Sequence, residues 1–179
     1  MVSRLFDFSA PDRFVAAAIG EPGQRAFYLQ ARQGGALVTV LLEKVQLAAL
    51  VGRMADLLDD PSTAAATADR LLPRVRDDDP LQQPIAEAFR VGALAIAWDA
   101  SAGQVIIEAQ PVAEIAAADA EPTDQISPSD LLRVRIDLAR ARDFVRRAAG
   151  LVAAGRPTCP FCGQPIEASG HFCPRVSLN

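Results

Sequence analysis

The chain is poor in several features, and each scarcity narrows its possible class. Its 179 residues include three cysteines, an odd number, and no charged-then-apolar leader, which together disfavour a disulfide framework. No run of about 18 apolar residues is present, so the sequence predicts no membrane span. We therefore expect a cytoplasmic protein that does not act at a membrane.

Positive charge is also not in excess. The formal net charge is −4, from 18 basic and 22 acidic residues, and Lys44 is the single lysine. A general nucleic-acid binder normally has a basic balance or a strong basic patch. Half of the residues are hydrophobic, which in a chain of this length is enough for a sizeable core. The composition predicts a folded protein for which nucleic acid is a disfavoured partner.

The chain gathers its cysteines and its one histidine at its C-terminal end. Cys159, Cys162, His171 and Cys173 lie within fifteen positions, with the spacing C-x2-C-x8-H-x-C. Three thiolates and one imidazole complete a tetrahedral shell around Zn²⁺ and leave no position for water. The spacing therefore predicts a structural zinc site formed by these four residues.

The residues between the ligands suit a tight turn, because Pro160 presets its entry and Gly163 tolerates a positive φ. Three other interpretations of the cluster stay open. The thiols and the histidine could be unligated, one cysteine and the histidine could form a catalytic pair, or the metal could be iron. No feature selects one thiol as a nucleophile, so shared ligation is favoured over catalysis.

Two segments of the chain match without a gap when shifted by 94 positions, with residues 38–58 over residues 132–152. Each segment has an alternating strand pattern followed by apolar residues at helical spacing. Glu43 and Asp137 occupy equivalent positions in the two segments, between the strand pattern and the helical pattern. A carboxylate at that position can cap the first N–H groups of a helix. The match indicates an internal repeat, although alternating apolar patterns can also align by chance.

Two further strand-like runs precede each segment, at residues 13–20 and 26–32 and at residues 89–98 and 104–110. The intervening turns are typical of hairpins. The sequence thus predicts an α+β protein of two β-β-β-α repeats, with antiparallel sheet or sheets and the helices packed on one face.

This pattern divides the chain into parts. Low periodicity over 61–84 and 116–129 indicates solvated, mobile loops, with a possible short helix over 64–72. The predicted parts are a first repeat at 1–60, a linker at 61–84, a second repeat at 85–154 with the insert 116–129, and a zinc-knuckle tail at 155–179.

No nucleophile–base pair, phosphate loop or catalytic metal pattern is present, so the sequence predicts no catalytic residue. One alternative is an enzyme that handles a small molecule or a phosphate ligand in a cleft between the repeats. Its candidate residues are Asp12, Arg13, Gln30, Arg32, Glu43, Arg90 and Asp99. For the aspartates the simpler interpretation is turn chemistry, in which the carboxylate accepts from backbone donors.

A second alternative is nucleic-acid binding through arginines beside the cysteine cluster. These are Arg133, Arg135, Arg140, Arg142, Arg146, Arg147, Arg156 and Arg175. A solvated helix face is the simpler interpretation, and no aromatic residues interleave with the arginines to stack bases.

Six segments together resemble a known family: Pro-Asp-Arg-Phe-Val at 11–15, Phe-Tyr-Leu-Gln-Ala-Arg at 27–32, Leu-Glu-Lys-Val-Gln at 42–46, Gln-Pro-Ile-Ala-Glu-Ala-Phe-Arg-Val-Gly at 83–92, Leu-Ala-Ile-Ala-Trp-Asp at 94–99 and Gly-Arg-Pro-Thr-Cys-Pro-Phe-Cys-Gly at 155–163. The family is the actinobacterial uncharacterised repeat protein family, or domain of unknown function 3090. The resemblance covers essentially the whole chain and implies no particular activity. It implies a soluble cytoplasmic protein with a cysteine-rich tail, in which Cys159, Cys162, His171 and Cys173 are the ligands.

These observations favour a non-enzymatic, zinc-stapled α+β protein that acts as an intracellular interaction or adaptor module. The expected partner is another protein. Exposed strand edges would also allow the chain to associate with itself.

Overall fold

A computed structural model describes residues 4–21, 23–61, 63, 77–112, 130–154, 159–163, 166 and 170–175. In this part of the chain the protein has seven strands and two long helices, which confirms the α+β class. The elements in chain order are β1 (Leu5–Phe8), β2 (Arg13–Ile19), β3 (Ala26–Gln33), β4 (Ala36–Leu42), α1 (Lys44–Asp59), β5 (Glu87–Asp99), β6 (Gln104–Pro111), β7 (Leu131–Asp137) and α2 (Leu138–Ala153).

The strands form one mixed sheet in the order β1-β7-β6-β5-β4-β3-β2. Pairing is antiparallel within β2-β3-β4 and within β5-β6-β7, as predicted. The predicted antiparallel arrangement is incomplete, because the sheet is mixed: β4 pairs with β5 and β1 pairs with β7 in parallel. The two β-β-β-α units lie side by side in the same orientation, so the last strand of one unit meets the first strand of the next in parallel. The internal repeat itself stays a prediction.

The sheet is strongly curved. Its two edge strands, β1 and β2, are joined by the four residues Ser9–Asp12. Such a connection spans at most about 17 Å, whereas the outer strands of a flat seven-stranded sheet would lie about 29 Å apart. The sheet therefore curls until β1 also contacts β3. The sequence prediction missed β1, whose four residues are too few for a periodic signal.

Both helices lie on the concave face of this sheet and pack against each other. The buried residues of α1 are Leu47, Leu50, Met54 and Leu58, and those of α2 are Leu138, Ala141, Phe144 and Ala148. This confirms the predicted helical spacing. Helix α2 also packs against β2 at the far edge of the sheet, where Phe144 stacks on Phe14 with 4.8 Å between ring centroids. The helix thereby fills the gap that the curved sheet leaves open.

The predicted caps lie at the starts of the helices. The Asp137 side chain accepts a hydrogen bond from the Arg140 backbone N–H at 2.8 Å, and the Glu43 backbone N–H donates to the Gln46 side chain at 2.8 Å. These bonds satisfy donors that the first turn of a helix leaves unpaired.

Replacing Asp137 with alanine should lower the free energy of unfolding by about 1 kcal/mol, because an N-cap acceptor is lost. The midpoint of thermal unfolding should fall by about 2–4 °C. The control is Asp59→Ala, which removes an exposed carboxylate from the C-terminal end of α1 and should not lower the free energy of unfolding. Equal midpoints for wild type and Asp137→Ala would contradict the assigned cap.

The end of the predicted linker is anchored to the sheet by one buried side chain. Leu81 is 7 % exposed and packs with Val15 and Ala17 on the convex face of β2. The Gln82 backbone N–H donates to the Gln30 side chain at 2.8 Å, and the Gln30 amide donates back to the Gln82 carbonyl at 3.0 Å. This stretch is therefore anchored to the sheet at Leu81 and Gln82, and the mobility of the linker stays a prediction. The predicted helix 64–72 and the insert 116–129 lie outside the described residues.

An arginine–aspartate bridge covers the free edge of β2. Arg147 on α2 donates to the Ala16 carbonyl at 2.9 Å, so its side chain occupies an acceptor that an additional strand would use. Both Asp77 oxygens accept from Arg13, at 2.5 and 2.8 Å, and one also accepts from Arg147 at 3.3 Å. Backbone carbonyls of Asp79 and Pro80 accept further bonds from the two guanidinium groups. This bridge fixes residues 77–80, near the end of the predicted linker.

Candidate metal centre

The four predicted ligands come together in space. One sulfur or nitrogen atom from each of Cys159, Cys162, His171 and Cys173 lies within 4.8 Å of the other three. The Cys159 and Cys173 sulfurs are 3.8 Å apart, and the Cys162 sulfur is 3.3 Å from Nε2 of His171. A tetrahedral zinc shell requires about 3.8 Å between two sulfurs and about 3.5 Å between sulfur and nitrogen. The donor set therefore fits one four-coordinate ion.

The first half of the centre is a tight turn around Cys159. The Gly163 backbone N–H donates to the Cys159 carbonyl at 2.8 Å, and Gly163 has φ +73°, in the left-handed region that favours glycine. The backbone N–H of Cys162 lowers the pKa of the Cys159 thiol, and the N–H of Phe161 adds to this effect while burial opposes it. A lowered pKa favours the thiolate, which is the form that ligates a metal.

The second half supplies His171 and Cys173 two residues apart. Gly170 precedes them with φ +86°, again in the left-handed region. Arg175 donates to the Phe161 carbonyl at 3.1 Å, so a hydrogen bond links the second half to the first independently of any metal. Cys159 is buried, whereas the other three ligands are partly exposed.

Two aromatic side chains of this loop point into solvent. Phe161 is 60 % exposed and Phe172 is 80 % exposed, and each is a direct chain neighbour of a cysteine ligand. The sequence prediction gave neither residue a role. A signal was present, since a phenylalanine between closely spaced ligands cannot take part in a helical or strand apolar pattern.

The centre can do limited chemistry. Four protein donors complete a tetrahedral shell, so a bound ion would have no open position for water or substrate. An ion held this way would cross-link residues 159–163 to residues 170–175. Neither of these two described stretches contains a helix or an extended strand.

The seven polar residues of the enzyme alternative do not converge on one cleft. Asp12 accepts from the Gly34 N–H at 2.7 Å, as expected for a turn aspartate, and Arg32 approaches it at 3.9 Å. Asp99 accepts from the Ser101 and Ala102 N–H groups, each at 3.0 Å, which also confirms turn chemistry.

The remaining members are also separated. Glu43 pairs with Arg90 beside α1, and Gln30 donates to Thr39 on the convex face. A cavity of about 110 Å³ borders Asp12 and Arg13, and a groove of about 690 Å³ borders none of the seven. In the described part of the chain, the seven predicted residues therefore do not line one common cleft.

Five of the eight arginines of the nucleic-acid alternative lie beside acidic groups. Arg133 pairs with Glu108 and Arg135 with Asp7, each at 2.6 Å, and Arg146 lies 3.8 Å from Asp78. Arg140 and Arg147 also have acidic partners, and Arg156 lies outside the described residues. Matched charges release few counterions on binding a phosphate backbone, which weakens this alternative.

None of the helices in the described residues is both long enough and apolar enough to cross a membrane.

Comparison with known proteins gives one match. A family profile described as "Protein of unknown function (DUF3090)" matches residues 6–173, which include the whole sheet except the start of β1, both helices and all four ligands. No curated protein and no solved structure matched the chain.

Proposed function

The chain belongs to the protein family of unknown function DUF3090, and we propose that it is an intracellular protein-interaction module whose C-terminal loop is held by a structural zinc ion. In this proposal Cys159, Cys162, His171 and Cys173 are the zinc ligands, and the curved sheet with its two helices is the support. The partner is another protein.

Zinc is the metal that suits this centre best. Closed shells of three cysteines and one histidine are typical of structural zinc, which has no geometric preference of its own and no redox chemistry. The 3.8 Å sulfur–sulfur distance matches the edge of a zinc tetrahedron. Iron in such a shell is the alternative that elemental analysis would reveal.

The exposed pair Phe161 and Phe172 is the observation that carries the interaction role. Aromatic side chains are enriched among the anchor residues of protein interfaces. Held in place by a metal, the two rings would lose little further conformational entropy on binding a partner. Exposing them permanently has a solubility cost, which a docking function would explain.

The two alternatives have less support. The cleft that an enzyme would need between the two β-β-β-α units is not formed by the predicted residues, and five of the eight arginines that nucleic acid would need lie beside carboxylates.

Affinity capture from cells that naturally make the protein tests this function. The intact chain should retain a protein partner that is lost when the chain ends at residue 155. The double variant Phe161→Ser/Phe172→Ser should lose the same partner by at least tenfold while it keeps its zinc. Val45→Ser removes an apolar side chain that is 73 % exposed on α1, and it should capture as wild type does. Equal capture by all forms, or capture of nothing by the intact chain, would contradict the proposal.

A further inference from the structure

We propose that a groove between α1 and β5 binds an extended, acidic peptide segment of another protein, which adds as a strand to an open edge of β5. This inference goes beyond the proposed function, because the groove and the metal loop share no residue. Either one can fail without the other.

The edge of β5 is open over more than half of its length. β5 pairs with β6 as far as Asp99, but it pairs with β4 only around Glu87 and Arg90. β4 ends at Leu42, where the chain turns into α1. Among the described residues, the edge of residues 92–99 that faces away from β6 therefore has no strand partner. Its backbone donors and acceptors are available to an additional strand.

A bulge at Gly92 interrupts the pairing of β5 with β6 at the point where the open edge begins. The register shifts between Val91 and Ala93, and a Cβ on Gly92 would lie 2.5 Å from the Cα of Val112 and 2.8 Å from the Pro111 carbonyl. Only glycine permits this close approach of two backbones. Just beside the bulge, the Gln46 side chain donates to the Val91 carbonyl at 3.0 Å, which fixes the strand to the helix. The start of the groove is thus held on both sides.

The groove has a volume of about 690 Å³, within the range of ligand-binding clefts. Its strand wall consists of Gly92, Leu94, Ala95 and Ile96, and its helix wall of Gln46, Ala49, Leu50, Arg53 and Leu57. A strand edge beside a helix, with small and apolar side chains on both walls, offers backbone pairing and side-chain pockets together. That combination is what strand addition of a peptide requires.

Apart from the bulge at Gly92 at its start and Asp99 at its end, the open edge lacks the features that prevent unwanted pairing. Residues 92–98 contain neither a charged residue nor a proline. Proteins usually protect such an edge with charges, prolines, short strands or a covering segment. The free edge of β2 has this protection, because Arg147 occupies its Ala16 carbonyl and residues 77–81 lie across it. The difference between the two edges indicates that the β5 edge is kept available.

Arg53 identifies the chemistry of the occupant. It is the one charged residue in the groove lining, it is exposed, and among the described residues it has no hydrogen bond or ion pair. A guanidinium group in a groove whose other side chains are uncharged complements a carboxylate, which it can bind through two parallel hydrogen bonds. A peptide with one acidic residue and apolar side chains at alternate positions fits both the walls and the charge.

Fluorescence anisotropy with labelled eight-residue peptides tests this site. In the probes, valine and threonine alternate around a central aspartate. The wild-type protein should bind them saturably, and Arg53→Glu should weaken binding at least tenfold. A probe with a central lysine should show the reverse preference. The control Lys44→Glu makes the same charge change nine residues away, on the opposite side of α1, and should leave affinity unchanged.

Backbone methylation separates strand addition from other modes of binding. Two methylated probes are compared, one with methyl groups on the odd-numbered backbone nitrogens and one with methyl groups on the even-numbered ones. One probe should lose binding and the other should keep it, because the N–H groups of alternate residues of a strand face the same neighbour. Equal effects in both probes, or no saturable binding to wild type, would overturn the proposal.

Two other occupants have distinct signatures. A dimer that Arg53→Glu dissociates would show that a second copy fills the groove. Probe binding only after residues 113–129 are replaced by a glycine–serine linker would show that this acidic segment of the same chain fills it. Either result would overturn an occupant from another protein. Zinc content should be unchanged in every groove variant, so failure here is distinguishable from failure of the metal loop.

Discussion

Replacing Asp77 with alanine should lower the free energy of unfolding by about 3 kcal/mol, because it leaves two arginines without their shared partner. The Arg13 and Arg147 side chains are 11 % and 12 % exposed, and both bind the Asp77 carboxylate. Removing one partner from a largely buried charge cluster costs more than the cluster contributed as a whole, because the remaining charges stay desolvated.

Thermal and urea unfolding measure this effect. For a chain of this size the midpoint should fall by about 6–12 °C. Asp79→Ala is the matched control, because its side chain is exposed while its backbone carbonyl continues to accept from both arginines. The control should change the free energy of unfolding by less than about 1 kcal/mol. Similar decreases in the free energy of unfolding for Asp77→Ala and Asp79→Ala would show that the arginine–aspartate bridge does not stabilise the fold.

The contribution of Asp77 to the free energy of unfolding should also depend on pH. Hydrogen bonding from Arg13 holds the pKa of the Asp77 carboxyl below its usual value. A group whose pKa is lower in the folded state stabilises the fold above its unfolded pKa of about 3.9, and this stabilisation is lost as the pH falls through the folded pKa. The stability difference between wild type and Asp77→Asn should therefore be largest near neutral pH and shrink below about pH 4.

Replacing Cys162 with serine should weaken zinc binding by at least 100-fold, since loss of a direct ligand exceeds the 10–100-fold effect of losing an outer-shell partner. A protein purified with about one equivalent of zinc should then lose it to a mild chelator. Because residues 159–163 and 170–175 include no regular element except a tight turn, the tail should become sensitive to protease. The main unfolding transition should hardly move, since the core lies in the sheet and helices.

The histidine provides a control that keeps the metal. His171→Cys creates a four-cysteine shell, which is also a stable structural zinc site, so this variant should retain zinc and protease resistance. His171→Ala should behave like Cys162→Ser. A tail that is equally resistant with and without its ligands would show that it does not depend on a metal.

The features predicted correctly from the sequence are those that depend on local spacing. Apolar residues such as Leu47, Leu50 and Met54 mark one helix face because a helix repeats every 3.6 residues. Asp137 was recognisable as a cap because its position precedes a helical pattern. The four metal ligands are close together in sequence and come together in space for the same reason.

The features that were missed depend on distant partners. Asp77 lies in an acidic stretch that reads as solvated, and its role becomes visible only when Arg13 and Arg147 lie beside it. The parallel pairing of β1 with β7 joins residues that are more than 120 positions apart. The groove requires that β4 ends earlier than β5 and that α1 follows β4 directly, and this arrangement leaves no local pattern.

The most direct test of the central claim is zinc-edge X-ray absorption spectroscopy on the purified full-length chain. We expect three sulfur ligands at about 2.3 Å and one nitrogen ligand at about 2.0–2.1 Å, with no oxygen in the first shell. This result would place the metal within the four residues that support Phe161 and Phe172. A zinc-free protein, or a shell that contains water or fewer than three sulfurs, would contradict the account.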